Sequence, residues 1–119
     1  MELFGYRKLI VYKKSKELVR QTYLLLTKFP SIEKHAMCNQ LRRASISITS
    51  NIAEGVNRSS AKEKVHFIEV SFASLMEVSS QFEIAEELGY ITTEERISID
   101  KLIEEIARLL SGLRKSYQS

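Results

Sequence analysis

Glu63-Lys-Val-His66 places a carboxylate and an imidazole one helical turn apart. This is the Glu-x-x-His element with which di-iron bundles ligate metal, but such a centre needs two of them plus a carboxylate from each remaining helix. The chain supplies one, so no metal or other cofactor is expected. His35 and Cys38 could touch at i, i+3, yet no third group orients the pair and nothing forms an oxyanion hole. A buried or half-buried structural thiol is the expectation. Glu83, Glu86 and Glu87 read as solvated carboxylates along an exposed face rather than an acid–base pair. There is no glycine-rich phosphate loop and no dinucleotide fingerprint. The residues therefore predict no catalytic site and no enzyme.

Two other sets of side chains are more informative. Gln40, Ser47, Asn51 and Glu54 recur at spacings of seven, four and three, a polar row bordering an apolar helical stripe, with Arg58 four residues beyond Glu54 as its charge partner. A row at that edge can hold helices in one register through hydrogen bonds, and it can also bind a ligand; the structural use is favoured. The second set is basic. Residues 1–43 hold ten Lys/Arg and three acids, +7, whereas residues 44–119 hold eight and twelve, −4. Such asymmetry marks a basic surface for nucleic acid, two surfaces that meet in an assembly, or halves that neutralise each other within one domain. Lys13, Lys16 and Arg20, with Arg42 and Arg43, are the candidate phosphate contacts.

The elements that must position these residues are helices. The 119 residues are enough for one domain, expected to span 1–119, and one Pro and four Gly are too few for a loop-rich chain. Periodicity predicts helices over about 10–28, 32–54, 61–88 and 93–117. Pro30 closes the first and Ser31 caps the second, whose stripe is Met37, Leu41, Ala44, Ile48 and Ile52, with Gly55 as terminator. Ser60-Ala-Lys-Glu63 and Thr92-Thr-Glu-Glu95 are capping boxes that open the third and fourth. Short links between helices imply an antiparallel up-down-up-down four-helix bundle, all-α. No apolar run approaches the ~18 residues of a membrane span or the length of a signal peptide, and Cys38 stands alone. A cytoplasmic location, away from membranes, is expected.

The third helix carries more apolar surface than a single stripe requires. Val65, Ile68, Phe72, Leu75, Met76 and Phe82 read as one face, and Phe67, Val78 and Ala85 as a second, with Ser71 and Ser74 between them. Ile46 adds an apolar residue opposite the core stripe of the second helix. Burial of each large apolar side chain is worth roughly 1.5–3 kcal/mol, so Ile46, Phe67 and Val78 are expected to form a homo-oligomer interface.

Gln40-Leu-Arg-Arg-Ala, Ser47-Ile48, Asn51-Ile-Ala-Glu-Gly55 and Arg58 together resemble the hallmark segment of the four-helix-bundle proteins encoded in intervening sequences of bacterial large-subunit ribosomal RNA genes, the S23 ribosomal protein-like family. Ala73-Ser-Leu, Glu77, Gln81-Phe-Glu-Ile-Ala and Leu88-Gly-Tyr90 resemble that family's third helix, and Tyr12 and Phe29-Pro30 also fit, so the resemblance covers nearly the whole chain. Val78 departs from the Leu-like or acidic residue expected there. The resemblance implies a homopentameric ring. It extends to the accessory variability proteins of diversity-generating retroelements, which use a basic pentamer to engage a reverse transcriptase and nucleic acid. The "ribosomal" label describes gene location and implies no ribosome membership. Residues and resemblance together predict a non-catalytic oligomeric adaptor that contacts RNA or DNA, or a nucleic-acid-processing protein. The alternative is a protein-interaction scaffold whose charges hold subunits together without nucleic acid.

Overall fold

The computed structural model describes residues 2–118; Met1 and Ser119, the two ends of the expected domain, lie outside the described residues. Four helices carry the fold: α1 (Ile10–Leu26), α2 (Met37–Val56), α3 (Ala61–Glu87) and α4 (Thr93–Gln118). One-turn 3-10 helices at Gly5–Lys8 and Ser31–Glu33 precede α1 and α2, and no strand occurs among the described residues. α1 packs on α2 and α4, and α3 packs on the same two, so α1 and α3 are diagonal. No described helix is long and apolar enough to cross a membrane.

The helix ends follow local chemistry. Ser60 Oγ accepts from the Glu63 amide at 3.1 Å, and its hydroxyl donates to the Glu63 carboxylate rather than leaving that carboxylate to the cap amide. Thr92 and Glu95 form the full reciprocal box, at 3.1 and 2.9 Å. α3 stops at Gly89, whose φ of 80° lets the Tyr90 amide reach the Ala85 carbonyl and the Gly89 amide reach that of Glu86.

α2 starts five residues later than the periodicity indicates, at Met37 rather than 32. Ser31 does not cap it. Glu33 does instead, because its carboxylate accepts from the Met37 amide at 3.4 Å and from the Tyr90 hydroxyl at 2.8 Å. Tyr90 in turn packs on Phe29, with ring centroids 5.1 Å apart. That clasp holds residues 31–36 in tight turns and joins the α1–α2 link to the end of α3.

Gly55 does not end α2 either. The helix runs on to Val56, and Gly55 is buried where a Cβ would lie 2.8 Å from the Cβ of Phe67. Its role is to let α2 and α3 approach closely. Ser71 reinforces the contact by donating to the Ile48 carbonyl at 3.0 Å, and Ser74 by donating to Ser47 Oγ at 3.0 Å.

This contact corrects the reading of α3. Its buried residues are Ile68, Ser71, Ser74, Leu75, Val78, Phe82 and Ala85. At 3.6 residues per turn they share one arc of about 120°. The buried parts of the two apolar rows therefore belong to a single stripe, with Ser71 at its centre and Ser74 at its edge. Val78 is 0% exposed inside the fold and cannot form an outer interface. Phe67 is half-buried over Gly55, and the Arg58 guanidinium lies 4.7 Å from its ring centroid. Met76, assigned to the core face, is instead exposed. Of the three expected interface residues only Ile46, 43% exposed, faces outward as foreseen.

The remaining core takes Leu41, Ala44, Ile48 and Ile52 from the expected stripe of α2, and Ile99, Ile103, Ile106 and Leu110 from α4. α1 contributes Val11, Leu18 and Leu26 together with two hydroxyl residues, Ser15 and Thr22, both fully buried.

Gly55→Ala is expected to destabilise the fold by about 1–3 kcal/mol, because the new methyl must displace Phe67. Gly112→Ala, on an exposed stretch of α4 with nothing within 4 Å of the added Cβ, should stabilise it by up to about 1 kcal/mol. Urea midpoints of the two variants check this pair. Equal midpoints would contradict the close α2–α3 approach.

Candidate nucleic-acid interface

Lys13, Lys16, Arg20 and Tyr23 succeed one another on α1 at spacings of three, four and three, and all four are exposed. The row ends beside α2, where Tyr23 shares a groove of about 400 Å³ with Asn39, Arg42, Arg43, Ile46 and Ser50. Tyr23 thus links the basic row of α1 to Arg42 and Arg43 of α2. Ile46 lies in that same groove, so the residue expected at a subunit interface sits among the cations.

The charges on this surface are not equally available. Arg20 is engaged by Glu17, whose carboxyl is held below its ordinary range by hydrogen bonds from Arg20 and Gln21. Arg42 donates to the Lys34 carbonyl at 3.2 Å, which fixes its position and leaves its charge uncompensated. The Lys16 ammonium lies 5.3 Å from the Tyr12 ring centroid. Lys13, Lys16, Arg42 and Arg43 have no carboxylate partner among the described residues. Among the described residues, only Lys14 and Lys28 from the basic first third reach acids of α4, Glu105 and Glu95, so neutralisation between the halves is partial.

The polar row is divided by the fold. Asn51 donates to the Ser47 carbonyl at 2.8 Å and to Ser47 Oγ at 3.0 Å, and Ser74 joins them from α3, so this part serves packing. Arg58 pairs loosely with Glu54, at 3.7 Å. Gln40 makes no side-chain bond to another described residue. It lines a cleft of about 430 Å³ between α2 and α3 with Arg43, Ala44, Ser47, Ser74 and Glu77. Tyr23, Asn39 and Ser50 were not identified from the sequence, and Glu77 entered there only as part of the family resemblance. Their relevance comes from which helices are neighbours, and no spacing within one helix encodes that.

The other candidate chemistry disperses. His66 is exposed and Glu63 is engaged by Ser60, and no group of three or more His, Cys, Asp or Glu among the described residues could hold a metal. Cys38 is buried, and desolvation pushes its thiol up, away from the reactive thiolate. Glu86 departs from the expected solvated row. It is half-buried and accepts from Thr93 and Arg96, which hold its carboxyl below the usual range and tie the end of α3 to the start of α4.

Because Asn51 is a packing residue and Gln40 is not, Asn51→Ala should cost about 1 kcal/mol in urea denaturation. Gln40→Ala should stay within roughly 0.5 kcal/mol of the parent, as surface changes do. Equal losses would contradict the division of the row.

Comparison with known proteins agrees with this architecture. A solved structure of a protein with unknown function from the S23 ribosomal protein family of Bacteroides thetaiotaomicron superposes with a TM-score of 0.79 at 26% identity, over 89% of this chain and 99% of that one. No functionally curated protein matches the chain. The family model described as 23S rRNA-intervening sequence protein matches residues 7–112. That span takes in all of α1, α2 and α3 and most of α4, and the chain belongs to the 23S rRNA-intervening sequence protein family.

Proposed function

We propose that this protein is a non-catalytic, homo-oligomeric adaptor, one domain per chain, that binds the phosphate backbone of RNA or DNA across α1 and α2. The observation that carries the reading is the exposed row Lys13, Lys16, Arg20 and Tyr23 on α1, whose last member shares a groove with Arg42 and Arg43, four of the five cations being free of carboxylate partners. Phosphate is the partner that rewards a row of cations without a matching acid, through release of condensed counterions. Tyr23, 42% exposed within the groove, adds a ring on which an unpaired base can stack. The surface holds no catalytic constellation, so its chemistry is that of holding a strand.

The up-down-up-down course of the helices is supported by paired positions whose numbers run in opposite directions. Ser71 meets Ile48 while Phe67 meets Gly55, and Lys14 meets Glu105 while Lys28 meets Glu95. Self-association is supported by an outer row of Met76 and Ile84 on α3 and Leu88 just beyond its end, 41%, 42% and 53% exposed, with exposed Ser80 completing the four-residue spacing. A ring of such subunits, five by family resemblance, repeats the basic surface and so multiplies weak phosphate contacts.

Gel-shift titrations of single-stranded and duplex oligonucleotides at two salt concentrations a decade apart test the proposal. Affinity should fall with salt by roughly 0.7–0.9 log units per contact. The variant Lys13→Glu/Lys16→Glu/Arg43→Glu should lose binding, while Lys101→Glu, on the exposed side of α4, should keep it. Light scattering of the same preparations should give a mass above the 13.7 kDa of one chain, unchanged by the charge reversals. Absence of binding at low salt overturns the adaptor. A mass that collapses on charge reversal favours the scaffold alternative.

A further inference from the structure

The α2–α3 cleft lies directly across α2 from the basic groove, and Arg43 and Ser47 line both. Its volume of about 430 Å³ falls within the ~300–1,000 Å³ range of small-molecule sites. Its walls are mostly polar, and the polar groups are unspent. Arg43 from α2 and Glu77 from α3 are not paired with each other or with any other described side chain, and Gln40 is likewise free. Ser47 Oγ accepts from Asn51 and from Ser74, so its own proton remains available to donate. One cleft therefore holds a free carboxylate, a free guanidinium, an amide and a hydroxyl, all on rigid helices.

We propose that this cleft recognises a guanine base. Guanine alone among the four RNA bases presents two adjacent donors, N1–H and the N2 amine, on its pairing edge, and a carboxylate accepts from both. Its other edge offers the O6 and N7 acceptors that a guanidinium matches bidentately. Adenine would set the N1 lone pair against Glu77, cytosine would set N3 there, and uracil has one donor flanked by two acceptors. The inference rests on the reading of the α1–α2 groove as a phosphate surface. A strand crossing α2 there places a phosphate near Arg42, a neighbouring base against Tyr23, and the next base in the cleft between Arg43 and Glu77. A free guanine nucleotide carries the same edges and is the other possible source of the base.

Fluorescence anisotropy of uridine oligomers of about 12 nucleotides, a length suited to single-strand binders, with one central guanosine, adenosine, cytidine or inosine tests this. The guanosine strand should bind about tenfold tighter than the others, within the discrimination expected of one good bidentate contact. Inosine, lacking the N2 amine, should lose much of that gain. Glu77→Gln should abolish the preference, bringing the guanosine strand to the affinity of plain oligouridine, and loss of a negative charge beside Arg43 should raise binding of all strands slightly and alike. Displacement of the label by GMP as effectively as by unlabelled guanosine strand assigns the cleft to free nucleotides, and weaker displacement assigns it to strands. Equal, salt-dependent binding of all four strands, or a preference that survives Glu77→Gln, overturns the guanine site and leaves the adaptor standing. Failure of every strand to bind at low salt removes both.

Discussion

The close approach of α2 to α3 organises this molecule. It depends on residues with little or no side chain at the crossing: Gly55 beneath Phe67, and Ser71 and Ser74 with their hydroxyls turned onto Ile48 and Ser47. A larger residue at Gly55 would separate the helices, and a serine without its acceptor would leave a buried hydroxyl unsatisfied, which costs free energy with no compensating contact. Because the crossing is tight, one side of α2 is fully committed to the core. The residues on its other sides, Asn39, Gln40, Arg43, Ile46 and Ser50, are left to line grooves against α1 and α3.

Charge is distributed in keeping with that geometry. The first third of the chain carries most of the basic excess, and only Lys14 and Lys28 spend theirs on α4. The acids of the later helices are used mainly among themselves and their near neighbours, as in Arg96 with Glu86 and Asp100, or Arg114 with Glu69. What remains on α1 and at the start of α2 is Lys13, Lys16, Arg42 and Arg43 without carboxylate partners among the described residues. The same helices that make the core thus present the charge, and no separate binding module is required.

Much of the fold could be read from the residues. The Ser60 and Thr92 caps and the stripe of α2 reflect interactions within one helix or at its ends, which periodicity and cap chemistry encode directly. The departures all involve contacts between elements. α2 begins late because Glu33 is claimed by Tyr90, a residue 57 positions away. The centre of α3 was misjudged because a serine reads as polar until its acceptor on the neighbouring helix is known. Ser15 and Thr22 also read as polar, yet both are fully buried with no hydrogen-bond partner for their hydroxyls among the described residues. The candidate site divides similarly. Its cations were legible as types at helical spacing, whereas Tyr23 and Glu77 acquire meaning only when α1 and α3 are set on either side of α2.

The central claim is that the outer sides of α2, with the basic row of α1, form the surface on which a strand lies. Photo-crosslinking with a 5-bromouridine oligonucleotide, followed by mass-spectrometric mapping of the modified peptides, tests it most directly. The account predicts crosslinks at Tyr23 and in the peptides that carry Arg42, Arg43 and Ile46. Crosslinks confined to the opposite end of the fold, around His66 and Tyr117, would contradict it.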